Sequence, residues 1–309
     1  MRYETRPAAL PASPGADNIM GQPAVQLSGF RAKLDYAGRQ FHAWWEGYEF
    51  DRSAERTLIA AKYGKIDFSL PVDDLMVEAI WGGGRHEPGS PAWTMRFARL
   101  LSLPLKANIN VFGAGRGAVL DDIKKGTRWK AHGFSRAQGV ARKNLFTYES
   151  VSDRVTARPA QGAICFFEIG ADQNPAVLAA TVAQSIKPGS IVVFVDYVAT
   201  RRGARLRGCF PDRPNYGVRS DGEFESLLRE AGFSSINKTD ETTAFMEQIA
   251  VGWSGWRRSY QAIMQMEDAA RRAQFMHAMA RNAELWAERY DALKSGQLRV
   301  ASFRAVRNS

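Results

Sequence analysis

Residues 109–120, INVFGAGRGAVL, constrain the fold of this chain more than any other stretch. An apolar run breaks into Gly113, Gly115 and Gly117 and then resumes with a helical pattern, so the segment reads as strand, tight turn and helix. Glycines at alternate positions let the backbone turn sharply and let a ligand come close where a Cβ would collide, while the helix that follows presents free N–H groups at its start. Alone, such a motif marks a Gly-rich turn as readily as a nucleotide loop. Its meaning depends on what surrounds it.

What surrounds it is an alternation of apolar runs and helical periods. Strands are expected at 129–134 (ending at Ser135), around 155–157, at 163–169, 190–198 and 233–242, and at 298–306; helices are expected at 118–124, 137–148, 175–186 (stopped by Lys187, Pro188 and Gly189) and 221–231. Strands that read as continuously apolar and are separated by helices are buried on both faces, which predicts an α/β fold with a largely parallel sheet and helices on each side. Between the last two strands, residues 244–294 return to a helical period and read as a cap over one end of the sheet. Its methionines suit either core filling or an adaptable ligand surface.

The N-terminal part differs. Residues 1–27 are rich in Pro, Gly, Ala and Ser without apolar period and read as a flexible arm, and residues 28–80 read as a helical cap carrying Phe41, Trp44, Trp45 and Tyr48. From Trp81 to Pro91 the chain is too rich in Gly and Pro for a regular element, and a helical pattern resumes at 93–101. Such a loop just ahead of the glycine motif is placed to cover a ligand. His86 lies in it, and an imidazole there suits acid–base work near neutral pH as well as a plain surface role.

A chain of 309 residues, 45% of them hydrophobic, has ample material for a core. Its two cysteines, Cys165 and Cys209, provide no disulfide framework, and four scattered histidines give no metal-ligand spacing. Neither a GxxxxGK phosphate loop nor a GxSxG elbow is present. No stretch is long and apolar enough to span a membrane and the first residues lack the apolar block of a secretory signal, so a cytoplasmic location with peripheral membrane association is the expectation. The formal charge of +10 attracts acidic partners, whether an anionic lipid headgroup, an acidic protein or nucleic acid, the last without a recognition motif to support it.

With these elements in order, the chain from Trp81 onward resembles the class I S-adenosylmethionine-dependent methyltransferases. Gly113, Gly115 and Gly117 match the family's glycine motif; 165–197 resembles its fourth strand, following helix, KPG turn and fifth strand; SDGEFESLLREAGFSSI and GQLRVASFRAVR resemble the approach to its sixth strand and its final antiparallel strand. The resemblance implies a Rossmann-like sheet, S-adenosylmethionine as cofactor, and methyl transfer to a small molecule or lipid headgroup. It implies cofactor contacts from Gly113, Ala114, Gly115, Gly117, Ser135, Arg136 and Glu168, and places His86, Tyr197 and Tyr216 as candidates to orient or deprotonate the acceptor. Two departures accompany it. Val111 stands where the family has an acidic residue two positions before the first glycine, and Ser135 where it has the acid that grips the ribose hydroxyls. A carboxylate grips about twice as strongly per bond as a neutral group, so the alternative implied is an inactive member serving as a scaffold or regulatory partner.

Overall fold

The computed structural model describes residues 39–40, 72–136, 144–147, 159–201, 206, 209–210, 213 and 216–309. The arm expected at 1–27, nearly all of the cap expected at 28–80 and the strand expected around 155–157 lie outside the described residues.

The elements run α1 (Val72–Trp81), α2 (Pro91–Leu100), β1 (Asn108–Phe112), α3 (Ala118–Gly126), β2 (Lys130–Ser135), β3 (Leu145–Thr147), β4 (Ala160–Phe166), α4 (Pro175–Gln184), β5 (Ile186–Ala199), β6 (Arg219–Ser220), α5 (Asp221–Glu230), β7 (Phe233–Asp240), α6 (Thr242–Ser254), α7 (Trp256–Met264), α8 (Ala269–Lys294) and β8 (Leu298–Arg307). Among the described residues they build one sheet in the order β3-β2-β1-β4-β5-β8-β7, with β6 beside β5. The first five strands are mutually parallel, and β8 is inserted antiparallel between β5 and β7.

Strand alternation sends the apolar residues to two cores. Val111, Ile164, Val193 and Val195 face a layer built with α1, α2 and the α6–α8 insertion, while Phe112, Cys165, Val192 and Phe194 face α4 and α5. This is why the central strands read as unbroken apolar runs: both faces are covered. The insertion is fastened to the first layer by the buried Trp286, whose ring meets Trp81 edge-on at 4.7 Å, and by Phe245, which packs against Trp93, Phe167 and Tyr197. The two free cysteines are buried.

Three local expectations are corrected. The helix expected at 137–148 does not extend over 145–147, which pair in parallel with β2 and bury Leu145. The KPG turn does not lie outside the fifth strand: β5 already begins at Ile186, and its register against β4 jumps from Ala160↔Ile186 to Gly162↔Ile191, so Lys187, Pro188 and Gly189 form an exposed bulge. Trp81, expected to open the irregular stretch, instead ends a helix over 72–81 whose Leu75, Met76 and Ile80 all turn into the core. The boundary expected between residues 80 and 81 falls in the last turn of that helix.

Candidate functional site

In an open parallel sheet a ligand crevice forms at the carboxyl ends of the strands where the strand order reverses. Here that point lies between β1 and β4. The backbone after β1 is held by two N–H groups, those of Gly113 and Ala114, donating to Phe134 O at 3.0 and 3.2 Å. Gly113, Gly115 and Gly117 have φ of 72°, 55° and 104°, a region that costs an L-residue energy. A Cβ on Gly113 would lie 2.0 Å from Phe166 O at the end of β4, and one on Gly115 would lie 2.9 Å from Gly84 O. The glycines therefore admit neighbouring backbone, where the sequence suggested the approach of a ligand. The 82–84 turn docks on this loop, Gly84 O accepting from Arg116 N at 3.0 Å.

Beside the loop is a cavity of about 300 Å³, near the lower end for small-molecule sites, lined by Gly113, Gly115, Ser135, Arg136, Glu168, His86 and Tyr216 among others. Seven of the ten residues expected from the sequence thus meet at one place. Ala114 lines a smaller adjoining compartment of about 40 Å³ that shares His86, together with Trp93, Val119 and Phe167. Gly117 is the N-cap of α3 and lines neither. Tyr197 is buried behind the wall, its hydroxyl donating to Glu87 Oε2 at 2.9 Å.

The charges on the wall are paired. Arg136 Nε donates to Glu168 Oε2 at 2.8 Å and its Nη1 to Ala171 O at 3.1 Å, and the other Nη bonds Asp172. Given the strand order, this guanidinium reaches from the end of β2 to the segment after β4, across the end of β1. Glu87 is held by Tyr197 and Arg213, and buried Asp196 accepts from Gly170 N at 3.0 Å and from the Tyr216 hydroxyl. Burial raises Asp196 to about 6 and pushes both tyrosines well above their ordinary values, so both are phenols at neutral pH. His86 is different: its Nε2 is buried with no hydrogen-bond partner among the described residues, and burial lowers its pKa, leaving a neutral imidazole with a free nitrogen. Next to it, Phe167 adopts φ 52°, an outlier for a bulky side chain and of a kind that collects at functional sites.

Two buried ion pairs lie around the covering loop, one holding it and one joining α1 to the glycine loop. Arg85 pairs with Asp122, which also accepts from Thr94 Oγ1 at 2.9 Å, and Glu78 meets Arg116 at 2.7 Å. Burial raises Glu78 to about 7 despite the pull of Arg116. A carboxyl whose pKa rises on folding binds its proton more tightly in the native state. Its stabilising effect is complete below its ordinary value of 4.5 and is lost as pH climbs through about 7. Asp196 acts with the same sign up to about 6, and neutral His86 opposes both. Glu78→Gln is expected to flatten the fall in urea midpoint between pH 4.5 and 7; a variant that keeps the full slope would show that Glu78 stays ionised.

Sequence reasoning passed over Glu87, Phe167, Asp196 and Arg213. Asp196 carried a signal, as the lone acid in the apolar run IVVFVDYVA, and Glu87 stood beside His86. Arg213 is one of many basic residues in its loop and carried none. Among the described residues no group of side chains is arranged to hold a metal, and no helix is long and apolar enough to cross a membrane.

No protein-family model and no curated protein matches the sequence. The likeness is to solved structures. Phosphoethanolamine N-methyltransferase 2 of Haemonchus contortus, with phosphomonomethylethanolamine and S-adenosylhomocysteine, aligns at 12% identity over 75% of this chain and 56% of that one, TM-score 0.61. The chain thus spans little more than half of that enzyme. An S-adenosylmethionine-dependent methyltransferase of Geobacter sulfurreducens, with S-adenosylhomocysteine, aligns at 16% identity over 77% and 99%, TM-score 0.54. The [4+2]-cyclase SpnF aligns at 14% over 77% and 93%, TM-score 0.53. A fold that carries both names does not decide the chemistry. What the likeness and the strand order establish together is that this chain has the Rossmann-like methyltransferase architecture, with a helical insertion before its last strand.

Proposed function

We propose that this chain transfers a methyl group from S-adenosylmethionine to a small molecule or lipid headgroup. One observation carries the reading: a single cavity at the switch point draws its wall from the glycine loop, the end of β2, the segment after β4 and the His86 loop. The residues fit the cofactor, with a reduced grip. Gly113 and Gly115 would offer backbone, the Glu168 carboxylate, bonded here to Arg136, would hold a cationic group, and the buried Ser135 would offer a hydroxyl in place of a ribose-binding carboxylate. When bound, the cofactor supplies an electrophilic methyl group. His86, with its free Nε2, accepts a proton or hydrogen bond from the acceptor; Tyr197 and Tyr216, as phenols, fix Glu87 and Asp196 and do not act as bases. Phe166 and Phe167 keep water from the reacting end. The helical insertion and α1 are the described parts that would shape the acceptor side.

Calorimetry with S-adenosylmethionine and S-adenosylhomocysteine tests this. Modest affinity is expected, and Ser135→Asp is expected to tighten it about tenfold through a charge-assisted ribose bond. Submicromolar binding by the native chain would refute the weakened grip, and no binding at millimolar ligand would refute the enzyme reading. A second reading, an inactive scaffold or regulatory partner, is favoured by the Arg136 contacts, which cross the end of β1 beside the glycine loop and occupy Glu168. Arg136→Gln separates the two: it releases Glu168 and strengthens binding in an enzyme, and leaves a scaffold without affinity.

A further inference from the structure

We infer that the α6–α7 corner of the helical insertion docks on an anionic lipid surface. Trp256, Tyr260 and Met264 recur every four residues and so share one face of α7, while Ser259 and Ile263 take the buried side. Tyr260 is 44% and Met264 50% exposed, and half-buried Trp256 is stacked on Trp253 at 5.3 Å. Trp253 and Trp256 also pack against the core, so the outward part of the stripe is Tyr260 and Met264 beside a half-buried Trp pair, a composition that suits an interfacial helix whose rings sit at headgroup level.

Charge selects the occupant. From residue 248 to 266 the chain has no acidic residue and two arginines, Arg257 and Arg258, within a chain of net charge +10. Arg257 is exposed on the same helix and is in no ion pair among the described residues. At the far end of α7, Arg272 Nη1 donates to Met266 O at 2.7 Å and sets a further cation beside the stripe. Glu267 and Asp268 close the basic stretch, the latter occupied in capping α8. Cations flanking an apolar and aromatic stripe, with no carboxylate inside it, fit phosphate headgroups over exposed acyl chains. The inference stands apart from the cavity, so vesicle binding and cofactor binding succeed or fail separately.

The full chain is sedimented with vesicles of phosphatidylcholine plus phosphatidylglycerol and, in parallel, of phosphatidylcholine alone. Partition into the anionic vesicles only is expected, weakening with added salt and accompanied by a blue shift of tryptophan emission. Arg257→Glu changes the local charge by two and should weaken partition about thirtyfold. Tyr260→Glu combined with Met264→Glu should abolish it with circular dichroism unchanged, while Leu105→Glu, at a 70% exposed position before β1, should leave it intact. Equal partition into both vesicle types, no partition at all, or indifference to the α7 substitutions would each overturn the assignment. So would a concentration-dependent dimer dissolved by Met264→Glu, which would give the face to a second copy.

Discussion

Gly113→Ala is expected to cost about 4 kcal/mol or more, enough to consume much of an ordinary domain's stability. Two penalties coincide at this position. The φ of 72° alone costs an alanine about 1–2 kcal/mol. The added Cβ then falls 2.0 Å from Phe166 O, which belongs to the end of β4 and can retreat only if β1 and β4 part. Gly189 provides the internal comparison. Its φ of 74° is nearly the same, yet a Cβ there meets nothing within 4 Å because the residue sits in the exposed β5 bulge. Gly189→Ala should therefore lose only the conformational share, about 1–2 kcal/mol. Equilibrium urea unfolding of both variants measures the difference. Equal losses would mean that the β1 loop yields to the methyl group and that the close approach of Phe166 O is not a constraint.

That comparison bears on how the glycine motif is to be read. From the sequence, the alternate glycines suggested room for a ligand; in the structure the room at Gly113 and Gly115 is filled by Phe166 O and Gly84 O. The motif is then a statement about how tightly β1, β4 and the covering loop come together. The cavity beside it exists because of that assembly. A ligand site can persist there whether or not the cofactor is still gripped, which is why the motif identifies architecture more firmly than activity.

Much of the fold was legible because it rests on period. Largely apolar runs at 109–112, 163–166 and 190–198, separated by helical spacing, gave the central strands and their parallel character, and the shift to helical period at 244–294 gave the insertion. What escaped was short or non-local. β3 has three residues with one buried side chain, too little to show an alternation. The β5 bulge uses the same Lys-Pro-Gly that elsewhere ends an element, and only pairing with β4 reveals it as an interruption within a strand. In the site, the residue types were legible and their partners were not. Arg136 reads as a cofactor contact next to Ser135, yet its guanidinium is bonded to Glu168 and Asp172, more than thirty positions away. The tyrosines show the same: the sequence does not reveal that the Tyr197 and Tyr216 hydroxyls bond the carboxylates of Glu87 and Asp196.

The covering loop illustrates the same dependence on distant partners, and it supplies the second large effect. Arg85→Ala is expected to destabilise the chain by about 3–5 kcal/mol. The Arg85 and Asp122 side chains are only 10% and 8% exposed, so removing the guanidinium leaves a carboxylate inside the protein with Thr94 Oγ1 as its remaining donor. The loss measures an uncompensated buried charge, which is larger than the net worth of the pair. Replacing both partners, Arg85→Met with Asp122→Leu, should accordingly restore part of the stability, since two apolar groups need no partner and only the buried Thr94 hydroxyl loses its acceptor. Cofactor affinity should not return with it. Arg85 is what ties the turn bearing Gly84 and His86 to α2 and α3, and a methionine fills that space without fixing a direction. Urea midpoints for the single and double variants, read beside calorimetry with S-adenosylhomocysteine, separate the two roles. A single variant unfolding at the native midpoint would show the pair to be solvated, and a double variant that binds like the native chain would show that the loop keeps its position by packing alone.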